Sequence, residues 1–473
     1  MRMTDDPLLQ PYSSSPNQWG LFAIRAPEAW QTSMGDASVI IGIADQGVDF
    51  GHPDLAANIW TNPDPGRCGL LGDLHGWDFV DDDSTVEDDP NVAPAMGIYD
   101  HGTHVAGIAA ARVDNGIGIA GVAPRCQIMP LRINGNEPEH IAGAIDYALK
   151  NNVRVINING GYFPAFAGKH RDERYRDAMP FPDSAVEDAV SRAAERGLLV
   201  VCNTAGNTRR SQTGWLAAIP ETLVVNPCNV AKQPSSFCPR CEFVDALAPG
   251  GERRPDCDTV VESEGVLSTH SGKYAALSGG CMATPHVSGV AALVVSLHPD
   301  WTPDQVRTVI RNTAQGVDWG PWGGHGVVDA AAAVSVREFE SRLEIRPENL
   351  RVLRRSRTVA AAQETAYKAA FFCPPSDGCP VRLEVHVDNV GIDDVTDALA
   401  VFWDGSPHDG GLQVGHVRFD VRGRESNTVA VETALRPGRH RLAVLVDPHD
   451  ACAGQLKQLG QRYLLTCSDV DVV

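Results

Sequence analysis

The sequence predicts an α/β fold, a mostly parallel sheet covered by helices on both faces, followed by an all-β sandwich. Three observations predict it. Up to about residue 335, short β-branched runs alternate with segments of helical spacing, the grammar of a parallel sheet. The runs are apolar throughout instead of alternating, as strands buried on both faces are. Past residue 340 the period falls to two and turn residues arrive at short intervals, which describes an antiparallel sandwich. Domains are therefore expected at 1–340 and 341–473.

In chain order, Val39-Ile40-Ile41-Gly42-Ile43-Ala44 is the first buried strand, and Val153–Ile158 and Leu198–Cys202 read the same way. Between them lie helices over Glu139–Asn151 and Asp183–Arg196, the second with Asp183 or Ser184 as N-cap and Gly197 as its stop. Such sheets bind their ligands beyond the carboxyl ends of the strands, so the polar residues just after each run are where chemistry is sought. In the second domain Val381, Leu383, Val385 and Val387 alternate with polar residues, as do Val429 and Val431, then Leu442, Val444 and Val446. Asp404-Gly405, Asp409-Gly410-Gly411, Arg422-Gly423 and Arg436-Pro437-Gly438 supply the turns, and Ser341–Ala370 connects the two domains.

Composition removes several classes of function. The 473 residues are 43% hydrophobic and 21% charged, ordinary for a packed chain, which excludes global disorder. Forty basic against sixty acidic residues give a formal net charge of −20, so no footprint for phosphates is present and no nucleic-acid partner is expected. No uninterrupted run approaches the roughly 18 apolar residues of a membrane span, and none is expected. No apolar leader precedes Leu21-Phe22, from which a cytoplasmic protein is expected, or a secreted one if an upstream leader was removed. The twelve cysteines are then expected mostly as thiols or metal thiolates.

Three segments carry chemistry. The first strand ends in Asp45-Gln46-Gly47, which places a carboxylate at the sheet's active edge. Asp100-His101-Gly102-Thr103-His104 opens a helix of small residues. Ser278-Gly279-Gly280-Cys281-Met282-Ala283-Thr284-Pro285-His286 leads into an apolar helix running to Leu297. A nucleophile at a helix N-terminus gains from unsatisfied amides and the positive end of the dipole. An imidazole can take its proton, and an acid can hold the imidazole in the right tautomer. Each segment alone has a plainer reading: a turn aspartate, a surface histidine, a small buried cysteine.

Their order and context overturn those plainer readings. Together with Gln18-Trp19-Gly20-Leu21, His52-Pro53-Asp54-Leu55, Gly76-Trp77-Asp78-Phe79, Gly121-Val122-Ala123-Pro124 and Ala248-Pro249-Gly250, they resemble the subtilisin-like proteases over residues 17–335. The resemblance implies Asp45 as orienting acid, His101 as general base, Cys281 at the nucleophile position and Asn207, in Ala205-Gly206-Asn207, as side-chain oxyanion donor. It places His104 structurally behind the site. Asn159-Gly160-Gly161 matches the strand that pairs with the substrate backbone and walls the specificity pocket, with Asn159 where the family usually has serine. The charged insertion Lys169–Asp177 after it reads either as a substrate-restricting rim or as a solvated loop.

The departure from the family is Gly280-Cys281, where it has Thr-Ser. Three readings stand for Cys281: a native thiol nucleophile, an engineered replacement of serine, or a site that has lost activity. The double change favours the first. The expected activity is peptide-bond cleavage through an acyl-enzyme on Cys281, with a peptide or protein as substrate. One alternative is a ligase or macrocyclase acting on a precursor peptide, because thioesters favour amines over water more than oxygen esters do. The other is an inactivated subtilase serving as a binding protein.

The chemistry requires no cofactor. A structural calcium is expected at Asp54 and Asn115, as in many subtilases, although the N-terminal glutamine that completes that site is absent. Cys228, Cys238, Cys241 and Cys257 could hold zinc, but their spacing is not that of a zinc ribbon, so disulfides or separate buried thiols are favoured. In the second domain Val385–Gly391, Val401–Gly405 and the Gly438–Pro448 hairpin resemble the immunoglobulin-like CARDB module. That resemblance implies either docking of a substrate or protein partner, or a stabilising appendage.

Overall fold

A computed structural model gives the fold. It describes residues 5–9, 18–87, 99–160 except 136, 184–204, 215–337 except 220, 240–243, 254–259, 262, 271 and 317–322, and then 343–344, 350–354, 379–389, 395–404, 412–421, 426–435, 438–447 and 464–472. The chain divides into two compact units, Met1–Arg337 and Glu338–Val473.

Seven parallel strands form the sheet of the first unit: β1 (Ile40–Asp45), β2 (Trp77–Asp78), β3 (Gln127–Arg132), β4 (Val155–Ile158), β5 (Leu199–Asn203), β6 (Leu223–Cys228) and β7 (Ala246–Pro249). Their order is β2-β3-β1-β4-β5-β6-β7. The chain therefore leaves β1 to one side for β2 and β3 and to the other for β4, which makes the carboxyl end of β1 the switch point where such sheets hold ligands. An antiparallel pair, β8 (Val266–His270) and β9 (Lys273–Leu277), stands apart from the sheet.

The helices are α1 (Trp19–Ala23), α2 (Ala26–Ala29), α3 (His101–Ala110), α4 (Pro138–Lys150), α5 (Ser184–Glu195), α6 (Gly280–Leu297), α7 (Pro303–Thr313) and α8 (Ala330–Ser335). The two helices expected from spacing form within one residue of their predicted ends. Strand residues alternate between faces, and the sheet uses that alternation strictly. Ile40 and Ala44 of β1, Ile156 and Ile158 of β4, and Val200 and Cys202 of β5 pack with α4 and α5. The residues between them turn to the opposite face, where α3 and α6 lie.

All ten residues of α3 are buried. Of the 18 residues of α6, 16 are buried, so this helix forms the core of its face. Among the described residues α6 is the one helix long and apolar enough to cross a membrane, yet 89% of it is buried inside the protein. The sequence predicts this apolar helix to Leu297 but no membrane-length run, because Thr284, Ser288, Gly289 and Ser296 interrupt it without making the helix polar on average.

A buried charge cluster ties α7 to the sheet edge. Asp245, fully buried before β7, accepts hydrogen bonds from the guanidinium of Arg307 and from Val224 N, and pairs with Arg311. Burial alone would push its carboxyl up, but Arg307 and Arg311 outweigh it and hold the pKa below the ordinary range. Asp245→Ala leaves two guanidinium groups without their anion, so the unfolding free energy at neutral pH should drop by about 3–5 kcal/mol. Urea titration of the variant measures this. The depressed pKa makes the stabilisation complete above the ordinary carboxylate value and lost as pH falls through the folded one, so the two proteins should converge in acid. Equal midpoints at neutral pH would mean that the cluster contributes nothing.

The second unit holds two four-stranded antiparallel sheets. One contains β10 (Leu343–Glu344), β11 (Leu350–Arg354), β12 (Cys379–Asn389) and β15 (Ser426–Leu435); the other has β13 (Val395–Asp404), β14 (Leu412–Val421), β16 (Gly438–Asp447) and β17 (Leu464–Val472). Leu383, Val385 and Val387 are buried while Glu384 and His386 are not, as period-two patterning requires.

Candidate active site

Asp45 is the last residue of β1, and its place in the alternation turns it toward α3. Gly102 makes the approach of α3 close enough: a Cβ there would sit 2.1 Å from the Gly47 carbonyl oxygen. Nδ1 of His101, the first residue of α3, donates to Asp45 Oδ1 at 2.7 Å. The same oxygen accepts from Gln46 N at 2.8 Å, and Oδ2 accepts from Asn159 Nδ2 at 3.0 Å. A carboxylate given this many donors is fixed in orientation.

Cys281 is the second residue of α6. Nδ1 of His101 is committed to Asp45, and the ring also hydrogen-bonds the Cys281 side chain. Burial by itself would lower the His101 pKa, but the Asp45 carboxylate, its hydrogen bond and the Cys281 side chain outweigh that and raise it well above the ordinary value. The three residues form one buried chain of hydrogen bonds, each only 2–3% exposed. An imidazole held this way can take a proton from the sulfur, keep it and return it.

Two asparagines complete the frame. Pro285 removes the amide that would pair with the Cys281 carbonyl one helical turn earlier. Asn159 Nδ2 donates to that carbonyl at 3.5 Å while also holding Asp45, so it joins the acid to the first turn of α6. The sequence reading placed Asn159 with Gly160 and Gly161 at the substrate strand. The structure turns the Asn159 side chain toward Asp45 and the Cys281 carbonyl, sets Gly160 directly after it against Gly135, and leaves Gly161 outside the described residues. Asn203, the last residue of β5, donates its Nδ2 to Cys281 Sγ at 3.3 Å. Sequence reasoning passed over it; the signal was a polar residue in phase with Leu199 and Val201, on the face that meets α6. Asn207 and the insertion 169–177 lie outside the described residues.

His104 sits one turn behind His101, its Nε2 donating to the carbonyls of Val266 and Ala275 at 3.1 and 3.0 Å. Burial pushes its pKa down to about 3, and the nearby His101 adds to the effect. His286 is likewise lowered by burial, to about 4. Both stay neutral around neutral pH and act as packing.

At the expected calcium position, Asp54 is fully buried and accepts from Asn115 Nδ2, Ile119 N and Tyr274 Oη at 2.8–2.9 Å. The structure adds an acidic arm that the sequence reading lacked: Asp6 is buried and accepts from the amides of Asp114 and Asn115. Asp5, Asp6 and Asp114 bring their carboxylates within 4.8 Å of one another, the one such acidic, histidine or cysteine group among the described residues. Of the zinc candidates, Cys228 is a buried thiol that burial pushes up to about 12. Cys238 is buried near its own loop carbonyl, and Cys241 and Cys257 lie outside the described residues.

Comparison with known proteins matches residues 36–342 to the model of the subtilase family. The chain belongs to the subtilase family. It is similar to thermitase of Thermoactinomyces vulgaris, with 33% identity over 330 residues, covering 68% of this chain and 98% of that one. The major intracellular serine protease of Bacillus subtilis is 32% identical over 288 residues, covering 59% of this chain and 74% of its own. Among solved structures, a protease of Pseudoalteromonas arctica matches with a TM-score of 0.53 and 28% identity, over 70% of this chain and 98% of its own. A lanthipeptide protease shares the fold at a TM-score of 0.54 and 22% identity, over 70% of this subtilase and 99% of its own chain.

Proposed function

We propose that this subtilase is a peptidase that cleaves peptide bonds through a thioester on Cys281. The observation that carries the reading is the continuous, buried Asp45–His101–Cys281 chain at the switch point of the sheet. The Cys281 sulfur attacks the scissile carbonyl carbon, an S–C bond forms and the carbonyl electrons move to oxygen. His101 then delivers the sulfur's proton to the leaving amine nitrogen as the C–N bond breaks. In the second half, His101 takes a proton from water, the hydroxide displaces the sulfur, and carboxylate product and thiol are released. Asn207, carried over from the family motif, would donate to the oxyanion in both halves.

Asn115 turns its amide nitrogen to Asp54, while Asp5, Asp6 and Asp114 offer carboxylate oxygens, which fit calcium, and they would hold it to pin the N-terminal segment onto the 113–119 loop. No step of the chemistry passes through it. The C-terminal strands, read as a CARDB-like module, serve as a docking unit for a substrate or protein partner.

Incubation of the full chain with an unfolded polypeptide, in the presence and absence of an acceptor peptide, tests the reading against Cys281→Ala. Cleavage that the variant loses, with free carboxylate as the main product, is the expected result. Ligated product in excess would move the assignment to a ligase. Binding without cleavage would make the chain a binding protein.

A further inference from the structure

We infer that Asn203 is a further catalytic residue of this site, whose side-chain N–H holds the Cys281 sulfur as the anion before substrate arrives. The inference rests on the reading of Cys281 as nucleophile. Its first support is contact: Asn203 Nδ2 lies 3.3 Å from Sγ, with both side chains about 3% exposed. The second is placement. Leu199 and Val201 occupy the same face of β5 and are apolar and buried, so an amide at the third position of that face is costly to bury unless its polar atoms are used. The third is direction, because the sulfur receives Asn203 from β5 while His101 reaches it from α3.

An N–H aimed at a neutral thiol gains little. The same N–H aimed at a thiolate is a charge-assisted bond, strengthened further where water is excluded. It therefore discriminates between the two protonation states and shifts the pair toward thiolate and imidazolium. Among the described residues the titratable group facing the sulfur is His101 on α3, with Asp45 of β1 behind it; Asn159 on the β4 side and Asn203 on β5 are neutral. Removing Asn203 changes the field at the sulfur without adding or deleting a charge.

The test is the rate of Cys281 alkylation by iodoacetamide against pH, measured on the full chain for wild type, Asn203→Ala and Asn203→Asp, with kcat/KM over the same range. Losing one hydrogen bond to an ion should move the inflection up by about one pH unit in the alanine variant. The aspartate variant, which sets a carboxylate against the sulfur, should move it further. The corresponding loss in kcat/KM should be about tenfold below the wild-type inflection and disappear above the variant's own inflection. An unmoved inflection, or a loss equal at all pH values, would mean that Asn203 only packs, and would overturn the inference. Should the alanine variant fail to fold, Asn203→Leu, close in volume, uncharged and without a donor, decides the question by the same shift of about one pH unit. A fast-reacting wild type with unchanged variants overturns the role of Asn203 alone, whereas a wild type as slow as an ordinary thiol overturns the nucleophile reading with it.

Discussion

Iodoacetamide is expected to alkylate Cys281 ahead of the other eleven cysteines in the chain and to abolish cleavage, while serine-directed fluorophosphonates do little. The physical basis is an imidazolium held beside a sulfur at a helix N-terminus. The raised His101 pKa sets the direction of the pH dependence. Its protonated form is stabilised by folding, so the imidazolium is fully present below the ordinary histidine value and lost only as pH rises through the folded one, while in acid the pair ends where the sulfur takes up a proton. Alkylation should therefore already be fast in mildly acidic solution. His101→Ala removes the cation and should raise the pH at which alkylation becomes fast. Cys126 and Cys228 serve as internal references, since burial pushes these thiols up to about 11 and about 12. If Cys281 reacts like an ordinary thiol between about pH 5 and 8 and His101→Ala changes nothing, the pair does not exist. The domain would then be an inactivated subtilase.

Asn207→Ala should lower the acylation rate by roughly 10²–10³-fold and leave substrate binding nearly unchanged. The donor meets charge that develops only as the carbonyl becomes tetrahedral, so its loss falls on kcat. A thioester pathway keeps this requirement, because the oxyanion belongs to the substrate and not to the nucleophile. Single-turnover kinetics with a short peptide separate the two effects. A change confined to KM would place the oxyanion donor elsewhere.

Much of this site could be read directly from residue order. Asp45 and His101 stand at the first strand's end and a helix start, where sheet topology puts chemistry, and Cys281 follows a glycine pair that opens the longest helix among the described residues. What escaped the reading is informative. Asn159 sits in the Asn159-Gly160-Gly161 motif assigned to the substrate strand and Asn203 in no local motif: the contacts of both depend on which face of β4 and β5 meets α6, and on a proline that frees a carbonyl one turn away. Face assignment needs the phase of each strand relative to its neighbours, and an apolar run buried on both sides hides that phase. Asp6 escaped for another reason: its partners, the amides of Asp114 and Asn115, lie more than a hundred residues along the chain.

The order in which the site's pieces are made has a consequence of its own. Asp45 and His101 are 56 residues apart, Asn159 reaches back 114 residues to Asp45, and Asn203 reaches forward 78 residues to Cys281. Every link is long-range, and Cys281 comes after all seven strands of the parallel sheet. During synthesis the sheet, the base and its acid all emerge before the nucleophile does. Long-range contacts of this kind close late and slowly. A growing chain therefore carries a nearly complete subtilase sheet before Cys281 has been made, and the Asp45–His101–Cys281 chain closes only when α6 seats against a finished sheet.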